Sequence, residues 1–208
     1  MTGSAVSPHQ ADKVFGGTGK RKRYFPIRRS LTFSLEVSES PGPEQDAHAL
    51  LKAKPLAEAL PQVAERLSQL LVNPQFVVET FNDDMPPGKR VLYHDKELDF
   101  YVLAHVQEGG KKGKPHSHGS SWAIYGNAKA VTGMTEWRRV NPASDEHYEL
   151  TMSSQYGLAP GQTRAYGPGV IHSTEHQQKA WVIRVTGTDL DKLPRYHFRK
   201  QDKILEAV

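Results

Sequence analysis

Apolar and polar positions divide the chain into an alternating stretch, a helical stretch and a long β-like remainder. Leu31-Thr32-Phe33-Ser34-Leu35-Glu36-Val37 alternates strictly, which predicts a strand with one buried face. Ser40-Pro41-Gly42-Pro43 ends it. Leu56, Leu60, Val63, Leu67 and Leu70 then recur at three- and four-residue spacings, the stripe of an amphipathic helix. Pro61 lies inside that stripe and predicts a kink or a break into two helices. Asn73-Pro74 predicts a cap and first helical residue for a short helix through Phe76, Val77 and Phe81.

After Pro86-Pro87-Gly88 the period changes to two. Short apolar or alternating runs at 91–93, 100–104, 122–125, 130–131, 135–137, 148–150 and 181–185 are separated by Gly- and Pro-rich turns. Many short strands at close spacing predict a barrel or sandwich. From Gly187 onward the charged tail reads as an irregular exit. Three segments follow: a basic, partly disordered arm with one strand (1–42), a helical prelude packed on the barrel (43–85), and the barrel with its tail (86–208).

Composition narrows the function classes. The 208 residues include no Cys, so disulfides, thiolate metal sites and a Cys nucleophile are excluded together. Any metal must rest on His, Asp and Glu. No apolar run approaches the length of a membrane-crossing helix, and no secretory apolar region follows the N-terminal basic residues. A soluble cytoplasmic protein without membrane partners is the expectation. The net charge of +4 is unevenly spread. Residues 1–30 carry seven Lys and Arg against Asp12 alone, a local +6, which leaves −2 for the rest. Gly-Lys-Arg-Lys-Arg at 19–23 can touch phosphates, but the body carries no basic surplus, and nucleic acid is not an expected partner.

The ten His residues carry the chemical signal. His116 and His118 flank Ser117, and alternate residues of a strand project from one face, so two imidazoles point toward one spot. That arrangement suits two facial ligands of a first-row metal ion. His172 is the candidate third ligand: it follows the Gly167-Pro168-Gly169 turn, opens a late strand, and lies 54 residues after His118.

Gly110, five residues, His116-Ser117-His118 and the later Gly169-Val170-Ile171-His172 resemble the two-part signature of the cupin superfamily. The resemblance implies a mainly β, double-stranded β-helix (jelly-roll) barrel with one metal in its mouth. Where a Glu ligand is usual, this chain has Ser121 and Trp122. Pro168 is shifted by one position, and His176 stands where Asn is customary. A three-His site without Glu is similar to the cysteine dioxygenase-like (thiol dioxygenase) cupins. The likeness covers roughly 56–198 and is carried by the helical prelude, Arg90-x-Leu92-Tyr93, Gly119 after the His pair, and Arg184-Val-Thr-Gly187-Thr-Asp189-Leu190. It implies that Arg90 grips a substrate carboxylate, although an Arg at a strand edge also reads as a surface ion-pair partner. The Ser-His-Tyr relay of that subset falls on Val182, Arg184 and Thr186, and its cross-linked Cys on Ala123, so none of these is retained.

The implied cofactor is Fe(II), with Ni, Zn or Mn as alternatives. Three protein ligands leave coordination positions open for substrate and O2, and an all-imidazole site leaves the metal charge uncompensated, which favours an anionic substrate. The expected function is a non-haem Fe(II) dioxygenase acting on a small anionic or chelating molecule: a thiol, diketone, enol or phenol. The alternatives are a non-redox metal-dependent cupin (isomerase, lyase or hydrolase) and a small-molecule binding or sensor barrel. A homodimer is left open. His176 reads as a replacement for a distant ligand, as an acid/base on bound substrate or as part of an exposed turn, and His105 as a core histidine or a group near the ligands. Tyr125 and Trp122 differ by an odd spacing, so one of them should face the pocket. Glu136 reads as a hydrogen-bond partner of a ligand His or as a solvated strand residue.

Overall fold

The computed structural model describes residues 43–145, 147–193, 196–197 and 203–205. The basic arm and the strand expected at 31–37 lie outside them.

Three helices precede the β region: α1 (Pro43–Ala53), α2 (Leu56–Leu71) and α3 (Pro74–Thr80). The apolar stripe holds: Leu60, Val63, Leu67 and Leu71 are buried. The break expected at Pro61 falls instead at Lys54-Pro55, and α2 runs through Pro61 without interruption. Pro61 and Ala57, whose carbonyl loses its donor, are both exposed, so water can replace the missing bond. Asn73 caps α3 as expected, its Oδ1 accepting from the backbone N–H of Gln75 at 3.0 Å and Phe76 at 3.4 Å.

The β strands are β1 (Gly88–His94), β2 (Tyr101–Gln107), β3 (Lys111–Lys112), β4 (His116–Ser117), β5 (Ala123–Lys129), β6 (Thr132–Arg139), β7 (Glu149–Leu158), β8 (Thr163–Tyr166), β9 (Ile171–His176), β10 (Ala180–Thr186), β11 (Tyr196–His197) and β12 (Lys203–Leu205). One sheet has the order β1-β2-β10-β5-β8, and the other β11-β4-β9-β6-β7-β12 with β3 on β9. From β2 to β11 the chain passes repeatedly between the sheets, staying in one sheet only at β3–β4 and at the β6–β7 hairpin, and strands remote in sequence become neighbours. That is the jelly roll.

Two expectations are corrected. Ala130-Val131 is a turn, with Ala130 at φ 62° and Val131 half exposed, because the chain must reverse tightly between β5 and β6. The tail is not wholly irregular: β11 pairs antiparallel with β4, and β12 pairs parallel with β7. Each satisfies the otherwise open backbone edge of a sheet.

The first sheet has two different faces. Ile124, Ile183, Val185, Ala104 and Val106 pack with α2, Phe76 and Phe81 in an apolar core. Gly126 permits this approach, since a Cβ there would stand 2.5 Å from Leu71 Cδ1. Thr163 Oγ1 donates to the Ala64 carbonyl at 2.9 Å and Ser68 Oγ to that of Gly161 at 2.5 Å, which ties α2 to the sheet edge. Between the sheets lies a smaller core around Tyr125, Met134, Leu158, Tyr166 and Val182. Beside it a cavity opens.

Candidate metal centre

Backbone pairing brings the two histidine motifs together. His116 on β4 stands directly opposite His172 on β9. The turns behind them are linked as well: Gly169 N–H donates to the Gly119 carbonyl at 2.8 Å. Both glycines adopt positive φ, 76° and 59°, which side-chain-bearing residues rarely do. His118 continues one step past β4 on the same side as His116, while Ser117 turns away.

The result is a cluster whose nitrogens, one from each of His116, His118 and His172, all lie within 4.8 Å of one another. His116 Nδ1 donates to the Lys114 carbonyl at 3.0 Å, and His172 Nδ1 approaches the Val170 carbonyl at 3.4 Å. A proton held on Nδ1 leaves the lone pair on Nε2, the form a metal ligand needs. Burial lowers the His172 pKa to about 3, with the charges of His116 and Arg184 acting in the same direction, so this imidazole is neutral at physiological pH. The donor set therefore suits a first-row divalent metal.

Tyrosines surround the cluster. Tyr125 projects from the inner face of β5, and its hydroxyl lies 3.1 Å from His118 Nε2 and 3.2 Å from His172 Nε2. Trp122, at the odd spacing, packs with the helix-side core instead. Tyr166 stacks on His172 with ring centres 4.4 Å apart and planes 7° apart. Its hydroxyl contacts that of Tyr156 at 2.8 Å, Tyr156 donates to Glu136 at 2.8 Å, and Arg164 donates to the same carboxylate oxygen at 2.6 Å. Burial pushes the phenol pKa of Tyr156 and Tyr166 up, so both stay protonated donors. Glu136 therefore takes neither predicted role: it anchors the tyrosine network that buttresses the back of His172.

The cavity beside the cluster measures about 660 Å³ and is lined by His116, His118, Tyr125, His105, His176 and Arg184, among others. His176 is buried rather than part of an exposed turn, because it ends β9 on the same face as His172. Burial lowers its pKa. Its Nδ1 lies 3.3 Å from Thr132 Oγ1, which in turn donates to Asn127 Oδ1 at 3.1 Å. With the Thr132 proton used in this way, His176 donates from Nδ1 and carries its lone pair on Nε2.

Arg90 is placed elsewhere. It lies opposite Ala104, which belongs to the helix-side core, and its guanidinium donates to the Thr80 carbonyl at the end of α3. A one-residue change of parity is the reason: Lys89, opposite His105, lines the cavity, while Arg90 does not.

Arg184 does line the cavity, although the sequence marked it only as part of the late motif of the likeness and as a lost relay position. It is half-buried, its Cζ lies 5.9 Å from the Tyr125 ring centre, and its Nε is buried without a hydrogen-bond partner among the described residues. The lysines at the rim are paired, Lys89 with Asp191 at 2.5 Å, Lys111 with Glu108 at 3.0 Å and Lys112 with Glu175 at 3.5 Å. The available signal was a lone charge inside the apolar run Trp181-Val182-Ile183-Arg184-Val185.

No family model and no curated protein matches the sequence. Solved structures match over about half of the chain. KdgF from Halomonas sp. is 14% identical, covering 55% of this chain and 98% of that one at a TM-score of 0.40. A cupin-2 domain containing protein from Shewanella frigidimarina is 14% identical, covering 57% and 96% at 0.37. A conserved SPY1581 protein of unknown function from Streptococcus pyogenes is 15% identical, covering 54% and 82% at 0.39. The assignment of a jelly-roll barrel accordingly rests on the strand order described above.

Proposed function

We propose that this chain is a cupin-type, non-haem Fe(II)-dependent dioxygenase, similar to the thiol dioxygenases, acting on a small anionic or chelating molecule. The observation that carries the reading is the convergence of His116, His118 and His172 beside a cavity lined by half-buried Arg184, whose Nε has no partner among the described residues. Fe(II) held by three neutral imidazoles would supply open coordination positions for O2 and for an electron-rich donor of the substrate.

The chain's own groups would do the rest. Arg184 binds an anionic group of the substrate, since a guanidinium withdrawn from water gains most from a carboxylate-like partner. His176, also in the cavity lining, accepts or returns a proton at Nε2, its ring held by Thr132. Val182 and Tyr125 belong to one apolar cluster and form part of the cavity wall.

The test is O2 uptake by protein purified without a His tag and loaded anaerobically with Fe(II). Thiols, diketones, enols and phenols are offered in turn, with and without a carboxylate. The expected result is uptake that depends on both iron and substrate, and is lost in His116→Ala, His118→Ala and His172→Ala. Turnover that proceeds equally with Zn(II), or without O2, would replace this reading with a non-redox one.

A further inference from the structure

We propose that Tyr125 is a fourth protein donor to the cation, its phenolate oxygen taking the place of the carboxylate that this chain lacks after its His-Ser-His run. The inference rests on the three-His reading above. Its starting point is one oxygen in contact with two of the three clustered imidazoles, 3.1 Å from His118 Nε2 and 3.2 Å from His172 Nε2. A group placed so occupies the space those nitrogens face. Any cation reaching them meets this hydroxyl.

The surroundings hold it there. Tyr125 is buried, with His118 at 6.3 Å between ring centres, His172 at 5.3 Å and Tyr166 at 5.9 Å, the last two packed edge to face. A side chain hemmed in on three sides has few other rotamers open to it.

Charge supplies the second argument. Three neutral imidazoles leave a divalent ion uncompensated in a poorly solvated place. Among the described residues lining the cavity the carboxylate is Glu108, tied to Lys111 at 3.0 Å. The positions where a carboxylate would be expected are committed elsewhere: Ser121 Oγ donates to the Trp122 carbonyl at 3.0 Å, and Trp122 packs with the helix-side core. Ala123 shares the inner face of β5 with Tyr125 and is small. The longer side chain two residues on therefore reaches the site. Ligation breaks the phenol O–H bond and forms an oxygen–metal bond, and the proton leaves to water with no change of oxidation state.

The test uses the full chain loaded with Fe(II) and oxidised to Fe(III) with ferricyanide. Wild type is expected to show a visible phenolate-to-iron charge-transfer band. Its resonance Raman tyrosinate modes should shift when the protein is grown with ring-deuterated tyrosine, a measurement that needs no variant to fold. Tyr125→Phe is expected to lose the band, keep its iron, and bind it about tenfold or more weakly, at the low end for loss of a group that supports a metal site. Bound iron without tyrosinate modes, or a band that survives in Tyr125→Phe, would overturn the role of Tyr125 and leave the three-His site standing. Failure of wild type to take up iron at all would overturn both.

Discussion

The two faces of the five-stranded sheet share strands β2, β5 and β10 and have opposite characters. Outward, Ile124, Ile183 and Val185 meet Leu67, Leu71 and Phe76, and Trp181 stacks on Phe81 with ring centres 5.2 Å apart. The contacts of these side chains are apolar, and polar ties such as Thr163 to the Ala64 carbonyl lie at the sheet edge. Inward, the alternate residues of the same strands are His105, Tyr125, Asn127 and Arg184. Asn127 satisfies its buried amide by donating to Thr132 at 2.8 Å and to the Leu158 carbonyl at 2.8 Å. Arg184 Nε finds no such partner among the described residues. Alternation along a strand therefore separates the surface that stabilises the fold from the surface that can bind and react. At Arg184 the inner face carries a desolvation cost that a bound anion would offset.

That contrast can be broken from either side. The largest effect is expected for His172→Ala, which should lower metal affinity by more than about 100-fold, beyond the cost of losing an outer partner, without altering the helix-side core. Metal analysis by mass spectrometry alongside urea denaturation of metal-free protein checks both halves. Ile183→Ala should do the reverse, costing about 2–5 kcal/mol of stability through a cavity under α2 while metal content per folded molecule stays level. Equilibrium denaturation reads the first quantity and metal analysis the second.

Arg184→Met is expected to separate stability from binding within the inner face itself. Removing a charge-assisted contact should weaken an anionic substrate by about 1.5–3 kcal/mol, seen as a raised KM. The metal-free protein should be as stable as wild type or more so, because a charge with an unpartnered nitrogen has been removed from a half-buried place. The smallest effect is expected for Arg90→Gln. Loss of its bond to the Thr80 carbonyl should cost about 1 kcal/mol in denaturation, with substrate KM unchanged. A raised KM there would return Arg90 to the cavity and contradict the parity argument.

Local pattern carried much of this architecture. The stripe of α2, the Asn73-Pro74 cap and most strand positions follow from spacing and turn residues, because they depend on interactions within a few residues. The histidine pairing was legible too, since a His-x-His on a strand has a definite face and the late glycine-flanked His172 has the turn it needs. Arg90 and Arg184 were not. Both lie on strands, and their roles depend on which face of the sheet meets helices and which meets the second sheet. Pro61 shows the same limit: the cost of a proline in a helix depends on whether the freed carbonyl sees water, which spacing does not encode. His176 looked exposed because Gln-Gln-Lys follows it, yet it is the last residue of β9 and its side chain is buried.

What the amino-acid sequence determined alone is therefore most of the elements, the absence of thiolate ligands and the three imidazoles offered to a cation. Only the tertiary structure decided that Tyr125 meets two of those imidazoles, that Arg184 rather than Arg90 enters the cavity, and that Glu136 braces His172 through Tyr156 and Tyr166. The reason is physical. Periodicity assigns a residue to one of two faces, but what a face touches is settled by strands that come from far along the chain.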